Sequence, residues 1–172
     1  MADDARREAE EDALWHFSLA FYAVPGIARA LITLQDRDGL DVNLILFALW
    51  LGLSGYGLLD SDALAAADRA VCAIRTEVVE PLRTLRRRLK GNPDPSVQNL
   101  REGVKELELA AERMVQSRLA CLAGPRDSEA PHGARLAAAY ANVALYLGPE
   151  RLDLAEAALI QEATVAFEER QL

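Results

Sequence analysis

The chain has 172 residues, of which 51% are hydrophobic and 27% charged. This length suits one domain that buries roughly 70% of its unfolded surface without a metal or disulfide, and the composition excludes a disordered protein. The net charge of −8 disfavours general nucleic-acid binding, because affinity for phosphate backbones needs a basic surface. All basic residues except Lys90 and Lys105 are arginine, which, together with the abundant alanine, suggests a GC-rich bacterial genome.

The amino terminus does not resemble a secretory signal, since residues 1–12 are acidic and lack an apolar core. The most apolar run, residues 44–53, is about ten residues long, whereas a helix needs roughly twenty to span a bilayer. We therefore expect a cytoplasmic protein with no membrane span.

Apolar residues recur at helical spacing along the chain, and no segment alternates as a strand does. The first helix is predicted over residues 4–23, and the second over residues 25–39, where Gly39 suits the left-handed position that ends a helix. Asp41 is predicted to cap a third helix over residues 42–54. That helix is apolar nearly all round, which predicts a central position in a bundle or a place in an oligomer interface.

A long fourth helix is predicted over residues 60–91, with a kink caused by Pro81. Residues 91–95 predict a turn, and a fifth helix follows to about Leu122. The heptad-like spacing of both helices predicts an antiparallel hairpin. Its facing residues are expected to be Val71, Val78 and Leu85 on one helix and Val104, Leu107 and Met114 on the other.

The remaining sequence predicts a polar, proline-rich and mobile loop over residues 124–133, followed by helices over 134–147 and 149–171. The first ten residues are expected to fray. The whole chain, residues 1–172, is thus predicted to be one all-α domain, a bundle of about seven helices.

Polar residues cluster between the second and third helices, namely Gln35, Asp36, Asp38, Asp41 and Asn43. A calcium-binding EF-hand needs glycine at position six, an oxygen ligand at position one and glutamate at position twelve. Aligning Gly39 with position six places Leu34 at position one and Ile45 at position twelve, so the pattern fails at both ends.

Two interpretations of this cluster remain open. Asn43 begins the most apolar helix, and a buried amide must be hydrogen-bonded, so Gln35, Asp36 or a group of the first helix is expected to form a structural polar clasp with it. Alternatively, the cluster is a ligand or partner site, with Trp15 and Tyr22 shaping a pocket.

The one basic stretch of this acidic chain has Arg83, Arg86, Arg87 and Lys90 on one side of the fourth helix. This side is predicted either to be a solvated face that pairs with glutamates of neighbouring helices or to dock an acidic partner or phosphate groups. The sequence contains no nucleophile–base pair, no Cys–His metal spacing and no glycine-rich phosphate loop. We therefore expect no metal and no cofactor.

Two segments carry a resemblance to a known family. They are Trp15-His16-Phe17-Ser18-Leu19 with Tyr22 and Pro25-Gly26, and Leu34-Gln35-Asp36 with Gly39 and Asp41-Val42-Asn43-Leu44. They resemble the W-x-F-x-L-x-x-Y-x-x-P-G and L-Q-D-x-x-G-x-D-V-N motifs of an uncharacterised proteobacterial family. The resemblance continues to about residue 120 through Pro81-Leu82-Arg83, Glu106-Leu107-Glu108, Glu112-Arg113 and Gln116. It implies a helical fold and no particular activity.

Two functions from different classes follow from these patterns. The favoured one is a non-enzymatic helical interaction module, an adaptor, regulator or assembly factor with a protein partner and possible homo-oligomerisation. The alternative is a small-molecule-binding protein or carboxylate-based enzyme with its site at residues 35–43. In that case Asp36 and Asp41 would serve as acid and base or as cation ligands.

Overall fold

The computed structural model describes the backbone of residues 2–169 and the side chains of residues 12–168. This part of the chain contains eight α-helices and no strand, which confirms the all-α prediction. The helices are α1 (Ala2–Tyr22), α2 (Ile27–Asp38), α3 (Val42–Leu53), α4 (Ser61–Ile74), α5 (Glu80–Leu89), α6 (Pro95–Ala120), α7 (His132–Leu147) and α8 (Ala155–Glu169). The predicted fraying of residues 1–10 stays a prediction, and the predicted end of the last helix at residue 171 lies outside the described residues.

Helix α3 is the centre of the bundle, as its composition predicts, because every one of its residues is buried. One side of α3, with Ile45 and Leu49, packs into a core built with α2, α7 and α8. The other side, with Leu44, Phe47 and Trp50, packs into a core built with α1, α4 and α6. Each large side chain buried in this way contributes about 1.5–3 kcal/mol, so α3 holds the two cores together.

The ends of α2 and α3 follow from local sequence signals, and both predictions are confirmed. Gly39 ends α2 with a φ of 69°, a conformation that glycine adopts without steric cost. Asp41 caps α3, because its side chain accepts a hydrogen bond from the Asn43 backbone N–H at 2.8 Å. The Asp41 backbone N–H in turn donates to the Tyr146 hydroxyl at 2.8 Å, which fixes this corner against α7.

The predicted hairpin is confirmed, since α5 and α6 pack side by side and ion pairs join Arg83 to Glu112 and Arg86 to Glu108 in antiparallel order. Its predicted interface is wrong in part. Val71 and Val104 are buried as expected, but the other four predicted facing residues are 40–61% exposed. Those four are Val78, Leu85, Leu107 and Met114.

In the first half of the hairpin, the physical reason is a π-helical turn, Arg75–Val79, which joins α4 to α5. The backbone N–H of Glu80 donates to the carbonyl of Arg75, five residues back instead of four. One extra residue per turn rotates the following side chains by about 100°. Val79 is therefore buried in place of Val78, and the heptad pattern fails beyond the turn.

Helix α6 departs from the predicted interface for a different reason. Its buried positions include Val104, Glu108, Ala111, Val115 and Leu119, which share one helix face. That face contains the positions four residues after Val104 and Ala111 instead of those three residues after them. Leu107 and Met114 therefore lie to one side of the inner face and are exposed.

The connection between α6 and α7 contacts the end of α3 at two points. The backbone N–H of Asp127 donates to the carbonyl of Gly55 at 2.8 Å, and Nε of Arg126 donates to the carbonyl of Ser54 at 2.7 Å. The predicted mobility of residues 124–133 stays a prediction, and these two bonds define where the loop is anchored.

Within residues 2–169 no single helix is long and apolar enough to cross a membrane. The segments Asp12–Tyr22 and Ile27–Asp38 meet the length and composition only as a pair, and the chain bends by 102° between them.

Candidate functional site

A cleft of about 290 Å³ opens between α1, α2, α5 and α6, with the first turns of α3 at its base. It is lined by Trp15, Ser18, Leu19, Tyr22, Ile32, Gln35, Val42, Asn43, Leu46, Arg83, Arg86, Arg87, Glu108, Leu109, Glu112 and Gln116. A second pocket of about 270 Å³ adjoins this cleft and shares Gln35, Asn43, Arg83 and Arg87 with it. The two together form one groove along α5.

The structure brings the two predicted groups of site residues to this one groove. Trp15, Tyr22, Gln35 and Asn43 line the cleft together with Arg83, Arg86 and Arg87. Asp36 and Asp41 line the adjoining pocket. Lys90 is exposed just beyond the end of α5 and lines neither.

The floor of the cleft is a network of arginine and glutamate side chains. Arg83 donates from Nε to Glu108 Oε1 at 3.2 Å and from Nη2 to Glu112 Oε1 at 2.7 Å. Arg86 donates from Nη2 to Glu108 Oε1 at 3.0 Å and from Nε to Glu108 Oε2. The Glu108 side chain is only 6% exposed, so the predicted pairing with glutamates occurs in a buried site instead of on a solvated face.

The cleft shifts the pKa values of its two carboxyl groups in opposite directions. Burial raises the pKa of Glu108, but hydrogen bonds and charges from Arg86 and Arg83 outweigh it and leave the pKa below its usual value. Burial raises the pKa of Glu112, and its bond to Arg83 offsets this only in part. Burial, followed by the charge of Glu112, raises the pKa of Tyr22 to about 12.

Asn43 is buried and hydrogen-bonded, but its partner is not one of those predicted. Nε2 of Gln116 on α6 donates to Asn43 Oδ1 at 3.0 Å. The half-exposed Asp36 instead accepts a bond from Arg87 at 2.9 Å, so the predicted clasp with Asp36 is wrong. The physical reason is that Asp36 faces outward near the end of α2, while the inner face of α6 passes beneath the start of α3.

Asp41 is engaged on both carboxylate oxygens. Its Oδ1 accepts the capping bond from the Asn43 backbone, and its Oδ2 accepts a bond from Arg75 at 3.3 Å. Because Asp36 pairs with Arg87 and Asp41 with Arg75, a role for these carboxylates as acid, base or cation ligand has no support from the geometry. Among the described residues no group of three or more His, Cys, Asp or Glu side chains is arranged to hold a metal ion.

Two buried polar atoms in residues that line the cleft lack a hydrogen-bond partner. They are the hydroxyl oxygen of Ser18 on α1 and the side-chain carbonyl oxygen of Gln116 on α6. Buried polar side-chain atoms are paired in the large majority of cases, and an unpaired one costs about 1–3 kcal/mol. Both atoms are closed to solvent, so they add a polar cost to the wall of the cleft without facing its opening.

Large apolar side chains surround the cleft opening. Leu19, Ile32 and Leu109 line it and are each exposed over nearly half of their surface. The Trp15 ring lies beside them, with the guanidinium of Arg113 at 5.7 Å from its centroid. We call Leu19, Ile32 and Leu109 the apolar rim. Binding pockets combine apolar side chains, which give affinity, with a few polar groups, which fix orientation, and the rim and the polar floor below it are such a combination.

Sequence reasoning missed Ser18, Glu108, Glu112 and Gln116 as site residues. A usable signal existed in α6, because its three polar members are spaced four residues apart and so share one helix face. No local signal could show that this face meets Asn43, since the two segments lie 73 residues apart.

The Asn43–Gln116 contact makes a direct prediction. In a double-mutant cycle with Asn43→Leu and Gln116→Leu, we expect a coupling energy on the order of 1 kcal/mol or more, because each single change strands the other amide. The control cycle pairs Asn43→Leu with Asp36→Ala and should be additive, since these side chains bind different partners. Urea denaturation gives all the values, and coupling in the control cycle alone would contradict the described contact.

Comparison with known proteins identifies the family. Residues 13–119 match a family described as a protein of unknown function, DUF2390. No curated protein and no solved structure matches the chain. The matched segment runs from the start of the described α1 side chains to the last turn of α6, and so includes every helix that lines the cleft. The chain therefore belongs to the DUF2390 family of proteins of unknown function.

Proposed function

We propose that this protein is a non-enzymatic helical interaction module whose cleft binds a segment of a partner protein. The observation that carries the proposal is the apolar rim, whose leucine and isoleucine side chains are nearly half exposed around the opening of a cleft with a polar floor. A bound segment would bury the rim. Burial of apolar surface favours complex formation.

The arginine–glutamate floor supports a binding role over a catalytic one. Glu108 is held by two arginines, and Glu112 is bonded to Arg83, so the floor is rigid and its charges are already paired. A rigid floor lowers the ordering cost of binding. Arg83 and Arg86 likewise stabilise the cleft, because both are held by glutamate side chains.

The second candidate is a small-molecule site in the same cleft. Its volume of about 290 Å³ favours this candidate, because it lies near the lower end of the range of ligand pockets, roughly 300–1,000 Å³. Glu112, with its raised pKa, would then be the acidic group that a ligand meets.

Site-specific photocrosslinking in the native host tests the proposal and separates the two candidates. A photoreactive residue replaces Leu109 at the cleft rim or, as matched control, Leu122 just after α6; both leucines are 47% exposed. We expect position 109 to form an adduct with one protein and position 122 to form none with it. An absence of protein adducts at position 109, or the same adducts at both positions, would contradict the proposal and favour the small-molecule site.

We also propose that two copies of the chain associate through a separate surface, the outer stripe, defined by Val78, Leu85, Leu107 and Met114. The support is that these exposed residues repeat at seven-residue spacing on the two helices of the hairpin, as they do where helices pair with other helices.

Sedimentation equilibrium tests the outer stripe. Leu107→Glu should convert a dimer into a monomer, because a charge within the stripe is costly to bury. Leu109→Glu, two residues away on the cleft side, should leave the dimer intact. A wild-type protein that sediments as a monomer at every concentration would contradict this proposal.

A further inference from the structure

The end of α5 differs in charge from the chain as a whole. The net charge of the chain is −8, yet residues 83–90 contain four Arg, one Lys and no Asp or Glu. Arg83 and Arg86 are neutralised by Glu108 and Glu112 inside the cleft, whereas Arg88 and Lys90 are exposed and the described residues show no ion pair for either. The unbalanced positive charge therefore lies at the end of α5, beside the cleft.

Arg87 is the arginine of the cleft that can exchange its partner most easily. Its Nη2 lies 2.9 Å from Asp36 Oδ1, and the two side chains are 47% and 46% exposed. A surface ion pair of this kind contributes only about 0–1 kcal/mol. By contrast, Arg83 and Arg86 are held by the buried Glu108, so they are fixed in place.

Arg87 also stands beside the apolar rim. It lines both the cleft and the adjoining pocket, and the exposed Ile32 and Leu109 line the same cleft. If a ligand carboxylate replaced Asp36 on Arg87, it would thus lie next to any large apolar side chain of the same ligand that packs on the rim. A charge-assisted hydrogen bond to arginine is shorter and stronger than a hydrogen bond between neutral groups. A carboxylate bound to Arg87 would therefore contribute to the affinity for the ligand.

We propose, building on the proposed function, that the occupant of the cleft is an acidic amphipathic segment of a partner protein. Its apolar side chain packs among Leu19, Ile32 and Leu109, and its carboxylate binds Arg87 in place of Asp36. Arg88 and Lys90 attract further acidic residues of the same segment through longer-range electrostatics.

The experiment is a selection from a phage-displayed library of random peptides on the full chain. Peptides that also bind Leu109→Glu are removed by counter-selection, so that the surviving peptides depend on the cleft. We expect the survivors to be enriched in Asp or Glu close to a large apolar residue. Peptides without such enrichment, or enriched in Lys or Arg, would overturn this inference while leaving a cleft-binding function in place.

Charge exchange then tests the role of Arg87. Arg87→Glu should weaken binding of a selected acidic peptide by about tenfold, and changing the acidic residues of the peptide to lysine should restore binding to that variant. The control Arg118→Glu alters the net charge equally on an exposed part of α6 and should change binding less than twofold. Thermal unfolding of each variant confirms that it is folded.

The remaining outcomes are also decisive. Equal weakening by Arg87→Glu and Arg118→Glu would show an effect of net charge alone and overturn the assignment to Arg87. A selection that yields no peptide dependent on Leu109 would overturn both this inference and the proposed function. A third outcome is that no such peptide is found but anionic phospholipid vesicles bind the wild type and not Arg87→Glu. The occupant of the cleft would then be a lipid headgroup instead of an acidic segment.

Discussion

Replacing Glu108 by alanine is expected to lower the free energy of unfolding by about 3 kcal/mol, because it removes the shared counter-charge of Arg83 and Arg86 from a buried site. The expected loss lies at the lower end for a broken buried ion pair, because Arg83 keeps its bond to Glu112. Urea denaturation at neutral pH measures it.

The matched control for this substitution is Glu102→Ala on the same helix. Glu102 binds Arg101 and Lys105, but its side chain is largely exposed, so we expect a change below about 1 kcal/mol. Equal losses for the two variants would contradict a buried floor in the cleft.

The Glu108 substitution also has a predicted pH dependence. The pKa of Glu108 is lowered from 4.5 in the folded state, so its stabilising contribution is present above that value and is lost as the pH falls through the folded pKa. The difference in unfolding free energy between the wild type and Glu108→Ala should therefore shrink below about pH 4.5. A difference that stays constant into strong acid would contradict the ion-pair account.

Replacing Gly52 by alanine is expected to destabilise the fold by on the order of 3 kcal/mol, the upper end for overpacking a core. A Cβ at this position would lie 2.2 Å from the backbone nitrogen of Ala139 and 2.4 Å from its Cα. These atoms belong to the backbone of α7, so the helix itself must move to make room. Gly52 is thus what lets α3 and α7 approach closely.

The control for Gly52 is Gly103→Ala in the interior of α6. A Cβ there meets no atom within 4 Å, so alanine should stabilise the helix by about 0.5–1 kcal/mol. Thermal unfolding of the two variants should therefore move the midpoint in opposite directions. A Gly52→Ala protein as stable as the wild type would contradict the close contact between α3 and α7.

The parts of the fold that were predictable are those set by local sequence. Gly39 and Asp41 end one helix and cap the next through bonds within a few residues, and α3 is central because its own residues are apolar on every side. These features depend on neighbouring positions in the chain, so spacing and residue type are sufficient to predict them.

The parts that were not predictable depend on register and on distant contacts. A single π turn before Pro81 rotated the face of α5, which put Arg83 in the interior of the cleft and Leu85 outside. The sequence predicted a kink at Pro81 but not the extra residue in the π turn that precedes it. The meeting of Asn43 with Gln116 likewise depends on tertiary packing, which no helical period encodes.

The residues of the candidate site were predicted as two separate groups, and only the structure shows that both groups line one groove. The cluster near Asn43 and the basic side of α5 with Arg83 and Arg87 had independent interpretations in the sequence. They line one cleft because α5 packs on α6 directly beside the start of α3. The acidic partner predicted for the basic side and the binding site predicted for the polar cluster therefore become one hypothesis.

The most direct measurement of the central claim is a calorimetric titration of the crosslinked partner, once identified, into the wild type, Leu109→Glu and Leu122→Glu. The cleft account predicts that Leu109→Glu weakens binding at least tenfold, about 1.4 kcal/mol, because it places a charge in the apolar rim. It predicts unchanged affinity for Leu122→Glu, whose leucine is equally exposed but lies outside the cleft. Equal affinities for all three proteins would contradict the claim that the cleft is the recognition site.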